Sequence, residues 1–350
     1  MTILILNIIV YIMIVAFLST LPLSHKTTRR LSLWMGGIVL LSLYMFKNPL
    51  IFPDLDVYKD FFETIVDNDG RIAPFSFQFL FEEGWVILTY ICRRISDNFE
   101  LVVFAVALCI TLAITKTAQK YSAIVWMPVV LFLCIKFEPT LYILRQAVSM
   151  ACVLFSLKHI KDRQLLPFLG WIIIGYFFHR SIIICLPLYY LANLELSAKN
   201  ICITFLFAVI GLIGLNSILG FFSQYFYKLE VYSEGDVSIS FVTWILPIAS
   251  FVYCWICFKW NKVPIQGINQ VFFWMLLLEI ILTTYYYIGT SFDAFYRLNF
   301  YFALGKIFLM PNATALIKNV TIRRLAIICL CGCWMVYMTM TFPYGYKYIF

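Results

Sequence analysis

Charge is what this chain has least of. Of its 350 residues, 13% are charged and 63% are hydrophobic, where a soluble domain carries about 25% charged residues. So few charges cannot wet a surface all round, and lipid is expected to be the solvent for most of it. The strict alternation of a membrane barrel is missing too. In its place stand long charge-free runs such as Ile201–Phe222 and Leu325–Phe342. About 20 mostly apolar residues cross a bilayer as a helix, and a helix satisfies its own backbone hydrogen bonds there. The expectation is an all-α polytopic integral membrane protein forming one transmembrane domain over residues 1–350.

Other absences narrow the chemistry. There is no glycine-rich phosphate loop, no nucleophile elbow, no HExxH, no linker and no internal repeat. Histidine occurs three times, at His25, His159 and His179. Eleven cysteines are present, but without zinc spacing. Most lie inside apolar runs, Cys331 and Cys333 included, and read as small buried apolar side chains. Residues 1–20 lack both a basic flank and a small-residue cleavage site, so they read as a retained first span. The net charge of +8 is read as orientation signal, with no nucleic-acid partner. The glycosylation-like patterns at Asn312 and Asn319 border a loop expected inside the cell and carry no weight.

Twelve spans are expected, with 11 to 14 the range, near 3–23, 31–47, 101–116, 121–136, 140–157, 164–178, 181–193, 201–222, 241–258, 268–288, 295–311 and 325–342. Lys26, Arg29, Arg30, Lys158, Lys161, Arg163, Lys259, Lys262, Lys318, Arg323 and Arg324 cluster in short loops. Basic loops stay in the cytoplasm. The acidic loops 48–78 (Asp54 to Asp69) and 223–240 (Glu230, Glu234, Asp236) should face outward. Segment 79–95 upsets the parity. Its apolar core is short and it opens on Glu82 and Glu83, so it reads as re-entrant or amphipathic, and both termini then face outward.

Ionisable residues near the bilayer are costly, roughly 2.5–3.5 kcal/mol for Arg or Asp at a helix centre, and are functional suspects. Arg145, followed by Gln146, opens one span. It either snorkels to the interface or clamps an anion, since guanidinium presents a planar fork of donors. His179 and Arg180 sit at the tip of the apolar hairpin Leu165–Leu194. They are a polar turn or supply a general base. Asp293 and Arg297 open a later span at i, i+4 spacing, compatible with a plain surface pair. On this topology Arg145, His179 and Arg297 share one depth. Glu279, in the middle of its span, reads as a buried carboxyl or as the partner of an arginine. Asp54, Tyr58 and Phe62 recur every four residues and share a helical face that could hold a sugar or simply be solvated. Glu82 heads towards lipid, unmet or catalytic.

The ordered set Asp54-x-x-x-Tyr58-x-x-x-Phe62, Glu82-x-Gly84-Trp85, Arg145-Gln146, His179-x-Ser181 and Arg297-x-x-x-Tyr301 resembles the EpsG family of bacterial polysaccharide polymerases, related in role to Wzy O-antigen polymerases. Arg180 and Cys185 depart from that pattern. The resemblance implies a glycosyltransferase of the bacterial inner membrane that moves a glycan from undecaprenyl diphosphate onto a lipid-linked repeat unit at the outer face. It implies Arg145, Arg297 and Arg180 on the diphosphate, and His179 or, second, Glu82 as base. Asp54, Tyr58, Gln146, Tyr301 and Asp293 would hold substrate. No metal and no cofactor is implied, and a chain-length regulator is a partner the resemblance allows. A lipid-linked glycan flippase or a membrane acyltransferase is the alternative, although no paired halves are visible.

Overall fold

The structure, a computed structural model, describes residues 2–46, 53–66, 71–72, 81–223, 239–288 and 293–341. Within these, the side chains of 2–3, 53, 215–223 and 293–295 are left out of account. The described residues are almost wholly helical, joined by short turns, with one isolated β-bridge between Val66 and Ile72. The helices are α1 Thr2–Thr20, α2 His25–Met45, α3 Pro53–Thr64, α4 Glu83–Ile95, α5 Glu100–Tyr121, α6 Met127–Ile135, α7 Phe137–Thr140, α8 Leu144–Lys161 and α9 Leu165–Phe178. A 3₁₀ turn, Arg180–Cys185, and α10 Leu188–Leu191 follow. After them come α11 Ala198–Ser223, α12 Phe241–Trp260, α13 Ile268–Tyr287, α14 Asp293–Ala315 and α15 Val320–Thr341.

Local signals account for many boundaries. Ser24 caps α2 and Ser240 caps α12, each accepting from the backbone N–H three residues on, which satisfies an orphan donor. Proline begins α3, where its missing N–H costs nothing. Lys158, His159 and Lys161 end α8, the terminus at which cations oppose the helix dipole favourably.

The membrane character is visible in what is exposed. By length and composition α5, α12, α13 and α15 could each cross a bilayer, and α1, α9, α11 and the segment Arg180–Leu191 hold shorter apolar helical stretches. Trp34, Leu166, Phe207, Trp260 and Ile328 are among the most exposed side chains. Large apolar residues on the outside of helices that are apolar all round are the mark of a lipid-facing bundle. The interior is close-packed around α5, α6, α8, α13 and α14, where Trp274, Phe132, Phe272 and Phe308 are fully buried. A Cβ on Gly305 would meet Met275 Cβ at 2.6 Å and the Phe272 carbonyl oxygen at 2.9 Å. That missing side chain lets α13 and α14 approach closely.

Two expected spans are not continuous helices. In place of 121–136 stands the nine-residue α6, about 13 Å long at 1.5 Å per residue. Pro139 explains its early end, because a proline ring clashes with the carbonyl four residues back, here that of Ile135. The chain then turns through α7 and residues 141–143, nearly all buried, before α8 descends. Segment 181–193 is also broken, into the 3₁₀ turn and α10. Pro187 has no N–H to continue the first piece. Its far end is fixed where Gln270 Nε2 and Trp274 Nε1 donate to the Leu194 carbonyl at 2.7 and 2.9 Å.

Of the segment 79–95, the described residues 81–95 form the 13-residue α4 and its lead-in, a helix too short for the ~30 Å hydrocarbon layer. It lies along α3: Trp85 near its start packs 4.9 Å from Tyr58, and Arg93 near its end lies 5.4 Å over the Phe62 ring. Both ends of α4 thus stay beside one short helix. Most of the acidic loop 223–240, and Asp67 and Asp69, lie outside the described residues.

Candidate active site

The turn before α8, the start of α14, the end of α9 and the helix α3 meet at one end of the bundle. Between them is a cavity of about 220 Å³ lined by Asp54, Val57, Tyr58, Phe81, Ile143, Arg145, Gln146, His179 and Arg297. Five residues singled out in the sequence therefore share one space with His179, and both Arg145 and Arg297 are among them. Non-helical backbone at Ile143 is tolerated at this depth because it lines a cavity.

Glu82, 9% exposed, is the hub. One carboxylate oxygen accepts from Arg145 Nη1 and the other lies 3.3 Å from His179 Nδ1. Arg145 Nε also donates to the Tyr58 hydroxyl at 3.3 Å, and its guanidinium lies 4.9 Å over the Phe81 ring. Five N–H donors are available on a guanidinium, so these two bonds leave others for a ligand. Glu82 precedes α4 and lies outside the spanning helices. Burial alone would raise its pKa, but the His179 contact and the Arg145 charge outweigh burial and hold it at about 2.

Packing explains the Glu82-x-Gly84-Trp85 pattern. A Cβ on Gly84 would lie 2.7 Å from the Phe177 carbonyl oxygen, so only glycine lets α4 start against the end of α9, beside His179. Trp85 is fully buried under Tyr58. Ser149 Oγ donates to the Gly175 carbonyl at 2.7 Å, tying α8 to α9. Gln146 Nε2 donates to the Arg297 carbonyl at 2.7 Å, tying α8 to α14.

Other expected residues lie elsewhere. Arg180 is largely exposed and pairs with Glu83 at 3.7 Å, outside the cavity lining. Tyr301 is fully buried, its hydroxyl 2.9 Å from Ser181 Oγ, so the last two motifs brace each other. Phe62 turns into the core against Phe99 and does not continue the Asp54–Tyr58 face. The Asp293 side chain lies outside the described residues. Among the described residues no group of three or more His, Cys, Asp or Glu side chains is placed to hold a metal.

Glu279 is buried, as one of its two expected readings had it, but two buried lysines, Lys136 and Lys306, went unmarked in the sequence. Glu279 pairs with Lys306, both nearly inaccessible, so its partner is a lysine and not an arginine. Lys136, 6% exposed, donates to Asn299 Oδ1 at 3.2 Å. The signal was present: Lys136 and Lys306 each stand in an apolar run, but Lys136 was read as the end of a span and Lys306 as part of one.

Searches among curated proteins and solved structures returned no match. The EpsG family model matches residues 33–350, and this membership is consistent with a polysaccharide polymerase-type role at a membrane. On a match over most of its length, the chain belongs to the EpsG family.

Proposed function

We propose that the protein is a polysaccharide polymerase of the bacterial inner membrane, moving a glycan from undecaprenyl diphosphate to a hydroxyl of a lipid-linked repeat unit at the outer face. One observation carries this reading: Arg145, Arg297 and His179 line a single cavity, and Glu82 joins Arg145 to His179.

In this reading the chain is a multi-pass membrane protein, with α4 lying along α3. Basic residues such as Lys120 and Lys161 at the opposite end of the bundle support an outward-facing cavity, since basic loops stay inside. His179 takes the proton of the acceptor hydroxyl. The hydroxyl oxygen bonds to the anomeric carbon of the donor as the bond from that carbon to the diphosphate oxygen breaks. Undecaprenyl diphosphate leaves with the electron pair, and Arg145 and Arg297 neutralise the charge that develops on it. The proton passes from His179 to water.

The geometry favours His179 over Glu82 as the base. A carboxylate held near pKa 2 is a weak acceptor, whereas an imidazole is suited to proton transfer near neutrality. Glu82 instead orients the ring through Nδ1 and stabilises the imidazolium, the role of the third group in triad logic. Asp54 and Tyr58 face the cavity where sugar hydroxyls would lie, and Gln146 sets the Arg297 backbone.

The test is purified protein in sealed lipid vesicles with a lipid-linked repeat unit and no nucleotide sugar. A ladder of longer glycans is expected. Unchanged substrate sinks the polymerase reading. Transport across vesicles without elongation replaces it by a flippase, and transfer of an acyl group by an acyltransferase.

A further inference from the structure

Lys136 is an expensive residue where it stands. Its ammonium is buried in the bundle, 4.0 Å from the Phe300 ring centroid and 5.9 Å from that of Tyr296. Its hydrogen-bond partner is the neutral Asn299. Among the described residues no carboxylate bonds it: one oxygen of Glu279 bonds Lys306, and the other oxygen of Glu279 and one of Glu138 are buried without a partner. A buried charge without a bonded counter-ion costs several kcal/mol, and an apolar residue of the same shape would pack there without that cost.

Its place in the chain suggests what offsets the cost. Lys136 lies in the interruption between α6 and α8, just ahead of Arg145. Asn299 lies two residues beyond Arg297 on α14. The bond from Lys136 to Asn299 and the bond from Gln146 to the Arg297 carbonyl therefore stitch the same two stretches of chain together, the second of them at the cavity. Those segments carry the two arginines. Two such bonds restrain the start of α14 against rotation and sliding, and placement errors near 1 Å can cost on the order of 100-fold in rate.

We infer that Lys136, acting through Asn299, is a positioning residue that fixes the spacing of Arg145 and Arg297 for a diphosphate group. This rests on the diphosphate reading above, and the experiment separates the two. Binding of undecaprenyl diphosphate is measured alongside the melting temperature in detergent. Lys136→Met is expected to weaken binding about tenfold while the melting temperature stays close to wild type, the removed charge offsetting the Asn299 oxygen left without its donor. Lys136→Arg, which keeps charge and donor, is expected to recover most of the affinity. Unchanged affinity in Lys136→Met overturns the inference. If affinity and stability fall together, the double variant Lys136→Met with Asn299→Leu decides: stability regained without affinity supports the inference, and any result in which the two still move together means simple packing and overturns it. Should Lys136→Met fail to fold, Asn299→Ala replaces it, with Asn299→Asp as the acceptor-retaining control; equal loss in both overturns the inference. Full affinity in Arg145→Ala and Arg297→Ala would instead sink the diphosphate reading itself.

Discussion

The Glu82 carboxylate stands 3.3 Å from His179 Nδ1, although the two residues come from segments far apart in the chain. With its other oxygen on Arg145, Glu82 ties the proposed base to the proposed anion clamp. Glu82→Gln keeps the shape and loses the charge. It is expected to lower kcat by roughly 100-fold, the scale of general acid–base effects, with a smaller change in KM. His179→Ala is expected to lose at least as much. Steady-state elongation kinetics check both; a Glu82→Gln enzyme at wild-type kcat removes the orienting role.

The two arginines are expected to fail differently from the base. Arg145→Ala and Arg297→Ala each remove charge stabilisation of a leaving diphosphate, worth about 100- to 1,000-fold per donor lost. Lysine restores charge but not the planar fork, so partial recovery is expected in both lysine variants. Arg180→Ala, which loses only an exposed contact to Glu83, is expected to stay near wild type. Elongation by all five variants, with folding checked by size exclusion, decides the ranking.

The Glu82 pKa makes a stability prediction with a definite sign. Its folded value is about 2, against 4.5 for an unperturbed glutamate. A depressed carboxylate stabilises the fold above its unfolded pKa and loses that contribution as pH falls through its folded one. The melting-temperature gap between wild type and Glu82→Gln is therefore expected to close as pH falls from about 4.5 to 2. A gap that does not change with pH would show that the carboxylate is not so held.

Glu279 and Lys306 allow a cleaner test of burial. Glu279→Ala strands the Lys306 ammonium inside the bundle, an expected loss of about 3–5 kcal/mol. The double variant Glu279→Leu with Lys306→Met removes both charges and is expected to return close to wild-type stability. Denaturation in detergent compares the two, and a double variant as weak as the single one contradicts this account.

Gly84→Ala tests the close approach of α4 to α9. Its Cβ would overlap the Phe177 carbonyl, and backbone cannot swing aside as a side chain can. A loss of about 1–3 kcal/mol and a disproportionate fall in elongation are expected, because Glu82 and His179 are pushed apart. Thermal melts and kinetics together read it.

How far the sequence reached can be traced through particular residues. Scarcity of charge set the helical, membrane-facing class on its own, because lipid leaves a chain few other ways to satisfy its backbone. Ordered polar motifs marked Glu82, Arg145, His179 and Arg297, since ionisable groups stand out in apolar surroundings. Periodicity could not show that α6 stops at Ile135 or that 181–193 is broken: apolar residues fill these pieces as they would a full span. Which way Phe62, Tyr301 and Arg180 turn was equally hidden, because a motif fixes spacing along the chain and not direction across a bundle. The pairing of Glu279 with Lys306, the stitch from Lys136 to Asn299 and the choice between Glu82 and His179 rest on neighbours distant in sequence. Only the tertiary fold could bring those groups within hydrogen-bonding range.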